Sequence, residues 1–306
     1  MANDASLSLS DAELLPQKKP LVSIYMPTHN RLELLRRAVA SVQAQTVKDF
    51  ELLIVNDAST DGTAEYLNDL AESDPRVRCF HQASSKGACV ARNLAIGEAK
   101  GEFITGLDDD DEFTPERLQT FIDAYDDKYA FVCHGFFWHY GAKVREVDSK
   151  PMLISLEALL NYNFATNQIF TKTTKLQKIG GFDPAFVACQ DYDTWTRMLI
   201  EFGTALRVAG ASYIIHQGHE GPRVTAQENK LLGYALFLKK HQKYMSAGNL
   251  ANQQFLALMA ARKPLSIFKL FSLLRYGFLS RKIRYFLSSH FKTAAQMRQQ
   301  YLKGRR

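Results

Sequence analysis

A chain of 306 residues, 46% hydrophobic and 23% charged, is long enough for one large catalytic domain with an appendage and ordinary in composition for a soluble globular protein. Its net charge of +6 hides an asymmetry: residues 226–306 hold 16 Lys and Arg against one acid, Glu228, while residues 1–225 hold 22 bases and 31 acids. No run of about 18 uncharged apolar residues would cross a bilayer. The first twenty residues carry Asp4, Asp11 and Glu13 without an apolar core, so they do not read as a signal peptide. Four scattered cysteines without Cys-x-x-Cys spacing argue against a disulfide framework or zinc site and suit a reduced cytoplasm.

Strands and helices alternate through the first hundred residues. Leu21–Met26 reads as a buried strand, followed by a helix with Leu34, Leu35, Ala38, Val39 and Val42 at helical spacing. Phe50–Val55 is a second strand and Thr63–Leu70 a second helix; Val77–His81 is a third strand and Gly87–Ala99 a third helix. Glu102–Leu107 is a fourth strand that runs straight into four aspartates. This alternation predicts an α/β fold, a parallel sheet with helices on its faces, in which ligands bind beyond the carboxyl ends of the strands. Strands over Tyr129–Tyr140 and Lys143–Val147 follow, then a helix near Ser155–Tyr162, a strand at Asn167–Thr171, a Gly180-Gly181 turn and a helix near Asp191–Phe202. Two further strands, Leu206–Ala209 and Ser212–His216, close this region, and the chain beyond Thr225 is basic and helical with breaks at Gly248 and at Lys263-Pro264.

Polar turns after three of the first four strands are the places for chemistry. Asp108-Asp109-Asp110-Asp111 crowds four carboxylates that repel one another and call for a cation or bulk water. Carboxylate oxygens completed by phosphate and water suit Mg²⁺ or Mn²⁺, although a solvated helix N-terminus before Thr114-Pro115 explains the same acids. The turns Pro27–Arg31 and Asn56–Gly62 are rich in capping residues, which is a sufficient structural reason for either alone. Without Gly-x-Gly-x-x-Gly or Gly-Lys-Ser/Thr, neither a dinucleotide fold nor a P-loop is supported.

Taken in order, PTHNR, VNDASTDGT, SKGACVARN, GLDDDDEFTPERL, GGFDPAF and QDYDTWTRM resemble the family 2 glycosyltransferases of the GT-A fold over roughly residues 20–225. The resemblance implies a GT-A architecture, a Rossmann-like mixed sheet flanked by helices, with a nucleotide-sugar half at 20–112 and an acceptor half at 113–225. Residues 1–19 are then an N-terminal extension and 226–306 a basic helical C-terminal region. It implies that Pro27, Thr28, Asn30, Asp57, Arg92, Asp108 and Asp109 line the nucleotide-sugar side, with Asp57 meeting a uracil ring and Arg92 against the base or diphosphate. Asp110 would be the direct metal ligand, Asp108 meeting the ribose or a metal-bound water. Asp191 would be the base that takes the acceptor's proton. Gln190 stands where the family usually has glutamate; it and Trp195 would face the acceptor, although Trp195 is equally simple as core.

His216 and His219 are candidates to reach the metal, and Arg223 to pair with diphosphate oxygens. In the tail, Ile267, Phe268, Leu270, Phe271, Leu273, Leu274, Phe278, Leu279, Ile283, Phe286 and Leu287 are interspersed with Lys269, Arg275, Arg281, Lys282 and Arg284, without one clean basic face, a mixture suited to an anionic inner-membrane surface or to packing on the acidic body. An acidic body does not suit nucleic acid. Together these readings predict an inverting, metal-dependent hexosyl- or N-acetylhexosaminyl-transferase. Its donor would be a nucleotide-diphosphate sugar, a UDP-sugar by resemblance, and its acceptor a glycan or lipid-linked glycan of bacterial surface polysaccharide or lipopolysaccharide synthesis. The expected location is the cytoplasm, peripheral on the inner membrane. The rivals are a nucleotidyltransferase and a non-catalytic sugar-nucleotide- or membrane-binding relative.

Overall fold

The structure is a computed structural model that describes residues 19–140, 143–216 and 227–291. In chain order it runs β1 (Val22–Thr28), α1 (Leu32–Gln43), β2 (Phe50–Asn56), α2 (Thr63–Ser73), β3 (Val77–His81), α3 (Ala88–Glu98) and β4 (Phe103–Gly106). Next come β5 (Glu112–Phe113), α4 (Arg117–Ala124), β6 (Val132–Tyr140), β7 (Lys143–Val147), β8 (Met152–Ile154), α5 (Leu156–Asn161), β9 (Phe170–Lys172) and α6 (Thr173–Lys178). The chain continues with α7 (Gln190–Phe202), β10 (Ala205–His216), α8 (Gln227–His241), α9 (Ala247–Ala260), α10 (Ile267–Leu274) and α11 (Leu279–His290).

Every residue of β1 and β2 is buried, as expected for central parallel strands covered on both faces. Alternate residues separate the core into two layers: Val22, Ile24, Met26, Leu52 and Ile54 pack with Leu35, Val39 and Val42 of α1, while Tyr25, Leu53 and Val55 face Ala91 and Ala95 of α3 and, further along, Trp195 of α7. The sheet order is β3-β2-β1-β4-β9-β6-β10-β5, with β7 beside β6 and β8 beside β10. The four strands from β3 to β4 are parallel, and β9 then joins β4 antiparallel. The order reverses between β1 and β4, so a crevice is expected beyond Thr28 and Gly106, where the PTHNR and DDDD turns lie. Gly106 is required there: a Cβ would strike the Tyr25 ring and the Gln168 amide oxygen.

Three features differ from the sequence reading. The two strands expected at 206–209 and 212–216 are one strand, β10, whose pairing with β6 slips between Arg207 and Ala211 and again before Tyr213. Gly210, at φ 97°, turns its N–H to Ser149 O instead of the β6 ladder, so the bulge reads as a break in the sequence. Gly248 does not interrupt a helix; it lies in the first turn of α9, which starts at a capping box between Ser246 and Asn249. α4 and α6 are helices of eight and six residues, too short to show two full apolar repeats.

The packing does not stop at residue 225. α8 lies on α7, with Phe237 stacked on Tyr192 at 3.9 Å, and α9 lies on α5, where Asn252 Nδ2 donates to Asn161 Oδ1 at 2.7 Å and Gln253 Nε2 to Leu160 O at 2.6 Å. The basic character of this part therefore coexists with extensive burial against the acceptor half.

Candidate active site

The turns after β1 and β2 are stitched to each other. Asn30 sits in the left-handed region (φ 52°), a conformation asparagine tolerates; its Oδ1 accepts the Thr60 N–H at 2.7 Å and its own N–H donates to Ser59 Oγ at 2.9 Å. His29 Nδ1 lies 2.6 Å from Asp57 O. The buried Asp57 carboxylate accepts from Ser85 Oγ at 2.8 Å, Lys86 N at 2.7 Å and Gly87 N at 2.9 Å. The residue expected to meet a uracil ring thus also shapes the turn that launches α3.

The four aspartates alternate. Asp108 and Asp110 keep 24% and 20% of their side chains exposed, while Asp109 and Asp111 are buried. Burial pushes the Asp109 carboxyl up to about 6 against the pull of Arg31, and burial with the charges of Asp110 and Asp108 raises Asp111 well above the carboxylate range. Arg31 Nη1 lies 3.1 Å from both Asp109 Oδ1 and Asp110 Oδ2, and Arg37 Nη2 donates to Asp110 O at 2.6 Å. The Thr28 hydroxyl lies beside the Asp109 carboxyl. Behind the turn, the Asp108 N–H donates to Tyr213 Oη at 3.2 Å and Asp111 Oδ1 accepts the His216 N–H at 3.2 Å.

This donor set fits a divalent cation of a particular kind. Among the described residues no three His, Cys, Asp or Glu side chains converge into a protein-only cage. Asp108 and Asp110, part-exposed on one turn, offer hard carboxylate oxygens that suit Mg²⁺ or Mn²⁺ whose shell is completed by phosphate oxygens and water. His216 is directed elsewhere: its Nε2 lies 2.5 Å from Glu112 Oε1 and its ring 5.0 Å from that of His139. His219 and Arg223 lie outside the described residues.

Asp191 opens α7 after Cys189, which holds φ 60°. Its Oδ2 accepts Asn163 Nδ2 at 2.9 Å. Burial raises its carboxyl to about 6, with the Tyr192 N–H and the Arg92 charge opposing and the Asp108 charge reinforcing. Arg92 is the physical link: from α3 it donates Nη2 to Asp108 Oδ1 at 2.9 Å and Nη1 to Gln190 Oε1 at 2.7 Å, its guanidinium 5.1 Å from the Phe182 ring centroid. Gln190 Nε2 in turn donates to Phe186 O at 3.1 Å. Arg92, expected against a base or diphosphate, and Gln190, expected against the acceptor, are therefore engaged with the protein itself.

Trp195 is fully buried, donates Nε1 to Thr166 O at 3.2 Å and packs edge-on against Phe182, in line with the core alternative of the sequence reading. Four residues at the site escaped the sequence reading: Arg31, Asn163, Gln168 and Tyr213. Gln168 Nε2 donates to Asp108 Oδ1 at 3.2 Å while its Oε1 accepts Tyr25 Oη at 2.8 Å. Arg31 had a signal, as the base of the PTHNR turn directly after a buried strand. The other three sit on elements with no motif of their own.

The sequence profile of Glycosyl transferase family 2 matches residues 23–190. A putative colanic acid biosynthesis glycosyl transferase, WcaA of Escherichia coli K12, is 38% identical over 235 residues, 74% of this chain and 83% of the relative. The GalNAc(5)-diNAcBac-PP-undecaprenol beta-1,3-glucosyltransferase of Campylobacter jejuni is 37% identical over 114 residues, 37% of each chain. Among solved structures, S. aureus TarS 1-349 in complex with UDP-GlcNAc superposes with a TM-score of 0.60 at 16% identity, covering 91% of both chains. The mannosyltransferase PcManGT of Pyrobaculum calidifontis, with GDP-Man and Mn2+, gives 0.59 at 16% identity, covering 94% of this chain and 85% of that one.

Proposed function

The chain belongs to glycosyl transferase family 2, is a glycosyltransferase of GT-A fold, and from that premise we propose that it moves a sugar from a nucleoside diphosphate to a glycan hydroxyl with inversion at the anomeric carbon. The observation that carries this reading is the Arg92 bridge, which ties Asp108 on the acid turn to Gln190 beside Asp191, so that a phosphate-binding end and a proton-accepting end border one crevice.

Each residue then has a task. Thr28, Asn30 and Asp57 form the walls beyond β1 and β2 where the nucleoside would lie, with Pro27 ending the strand beneath them. Asp108 and Asp110 would hold Mn²⁺ or Mg²⁺, which when bound neutralises charge on the departing diphosphate. Arg31, on Asp109 and Asp110, keeps the acid turn compact. Asp191 accepts the acceptor's proton as that oxygen bonds to the anomeric carbon and the carbon–phosphate-oxygen bond breaks, releasing the nucleoside diphosphate. A carboxyl raised to about 6 by burial is ionised at neutral pH yet basic enough to take that proton. Asn163 fixes its orientation. One displacement with no covalent enzyme intermediate inverts the centre.

A UDP-sugar is the donor favoured by the TarS likeness, with GDP-mannose the alternative exemplified by PcManGT. The relatives from E. coli and C. jejuni favour a surface-polysaccharide precursor, carried on a lipid diphosphate, as acceptor. Such an acceptor places the enzyme on the cytoplasmic face of the inner membrane, where the basic C-terminal region would meet anionic lipid. The domain division at about 112 and 225 is kept for the nucleotide and acceptor halves, with 226–306 as an extension docked on the latter. Assaying the small product with Mn²⁺, a panel of nucleotide sugars and lipid-diphosphate acceptors tests the reading. Nucleoside diphosphate is expected; pyrophosphate from a nucleoside triphosphate would instead make the protein a nucleotidyltransferase.

A further inference from the structure

We propose that the outward faces of α10 and α11 form a lipid-inserting surface, and that α8 and α9 only attach it to the catalytic body. This rests on the reading of a membrane-borne acceptor and specifies which side chains would enter the bilayer.

Both helices are pinned by one face and leave the other apolar. On α10, Leu270 and Leu273 pack inward with Phe255 and Leu265, while Ile267, Phe268 and Phe271, one turn apart, stand 43%, 85% and 65% exposed. On α11, Lys282 is buried and donates Nζ to Leu273 O and Gly277 O, and Tyr285 Oη donates to Lys263 O. Its opposite stripe, Leu279, Ile283 and Leu287 at i, i+4 and i+8, is exposed, as is Phe291 beyond it. Seven of the fourteen large apolar side chains exposed among the described residues thus fall between 267 and 291. Apolar stripes of this size on a soluble surface mark an interaction site, and aromatic rings on an exposed helical face suit the headgroup–acyl boundary.

Charge identifies the occupant. The bases of this segment fall into two groups. Lys282 caps α10, and Arg281 lies 4.0 Å over the Tyr162 ring, binding α11 to the body. Arg262, Lys263, Arg275 and Arg284 remain exposed around the apolar stripes, and no acid occurs after Glu228 in the sequence. A partly aromatic, wholly cationic surface matches an anionic bilayer. A second copy of this chain would bring like charges together.

The test is co-sedimentation of the full chain with vesicles of phosphatidylglycerol and phosphatidylcholine, against phosphatidylcholine alone, for wild type, the double variant Phe268→Ser/Phe271→Ser and the double variant Arg275→Gln/Arg284→Gln. The expected result is binding that needs the anionic lipid, falls at least about tenfold in the aromatic variant and weakens in the arginine variant. Thermal midpoints and nucleoside diphosphate release with a soluble acceptor should stay unchanged in the aromatic variant, since neither ring packs inward. If wild type binds and the aromatic variant binds equally, the surface is misassigned although the membrane reading stands. If wild type does not bind anionic vesicles, both are overturned; if the aromatic variant instead converts a dimer to a monomer, the surface is a contact between copies and this proposal alone is overturned.

Discussion

Arg92 Nη2 donates to Asp108 Oδ1 across 2.9 Å, and this ion pair fastens helix α3 to the acid turn. Because the other arm of the same guanidinium holds Gln190, the distance between the two halves of the crevice is set by one side chain. Arg92→Ala leaves the part-exposed Asp108 carboxylate to Gln168 alone and the Gln190 amide oxygen without its guanidinium donor. The expected outcome is a thermal midpoint lower by several degrees together with loss of transfer. Arg92→Lys keeps the charge but cannot serve both partners from one fork, so it should fold and lose at least about tenfold in kcat. Calorimetry and steady-state kinetics check the pair.

As the proposed base, Asp191 should set the acid limb of the pH profile. Only its ionised form accepts a proton, so kcat should rise with unit slope up to about pH 6, where burial has moved its carboxyl, and level off above. Gln190→Glu adds a negative charge next to it and should move that limb to higher pH, since a like charge disfavours ionisation. A limb that stays put in this variant would separate the limb from Asp191.

The same carboxyl makes a stability prediction of opposite sense to its catalytic one. Its folded value is raised from the ordinary 3.8 to about 6, so between those values the folded state holds a proton that the unfolded chain has lost. Stability contributed by this group is therefore full below 3.8 and lost as pH rises through 6. Asp191→Asn, which removes the loss, is expected to unfold at a higher temperature than wild type at pH 7.5 and to lose that advantage below pH 4.

Asp193, two residues along α7, behaves in the other direction. Although burial opposes its ionisation, the hydrogen bond from His241, with the charges of Arg197 and Lys240, outweighs burial and lowers its carboxyl. His241 Nε2 lies 2.8 Å and Lys240 Nζ 2.9 Å from Oδ1, and Arg197 Nε lies 2.8 Å from Oδ2. Removing one member of such a buried network costs about 3–5 kcal/mol, so Asp193→Ala should detach α8 from α7 and lower the midpoint at pH 7. A group with a depressed value stabilises above 3.8 and ceases to as pH falls through its folded value. The penalty in the variant should therefore shrink on acidification below pH 4, read by thermal melts across pH.

Metal dependence should be visible without turnover. With donor and Mn²⁺ at about a hundred times their dissociation constant, binding to the native state adds about 2.7 kcal/mol of apparent stability. Chelation should abolish that shift, and Asp110→Asn should abolish it at the same metal concentration while leaving the unliganded midpoint near that of wild type.

Much of this was legible in the sequence because the decisive signals are local. Central parallel strands are buried on both faces, so Val22–Thr28 and Phe50–Asn56 announce themselves as largely apolar runs, and the turns that follow carry the polar residues. What escaped depends on tertiary placement. The Ala209-Gly210 bulge imitates a strand break, since a register slip within one ladder leaves the same glycine signal as a turn. Arg92 sits in a helix whose motif shows a base but not the direction of its fork. Asn163 belongs to unpatterned chain after α5, and Gln168, expected in a strand at 167–171, precedes β9; only the fold brings them to Asp191 and Asp108. The tail's composition suggested a choice between membrane and body, whereas α10 and α11 pack one face inward and leave the other exposed and apolar.

Donor affinity and turnover of Asp191→Asn, measured on one preparation with Mn²⁺ present, bear most directly on the claim that the QDYD helix supplies the base. The account predicts a dissociation constant for the nucleotide sugar within about twofold of wild type and a kcat lower by about 10²–10⁴. Turnover at the wild-type rate, with the donor bound as tightly as before, would contradict it.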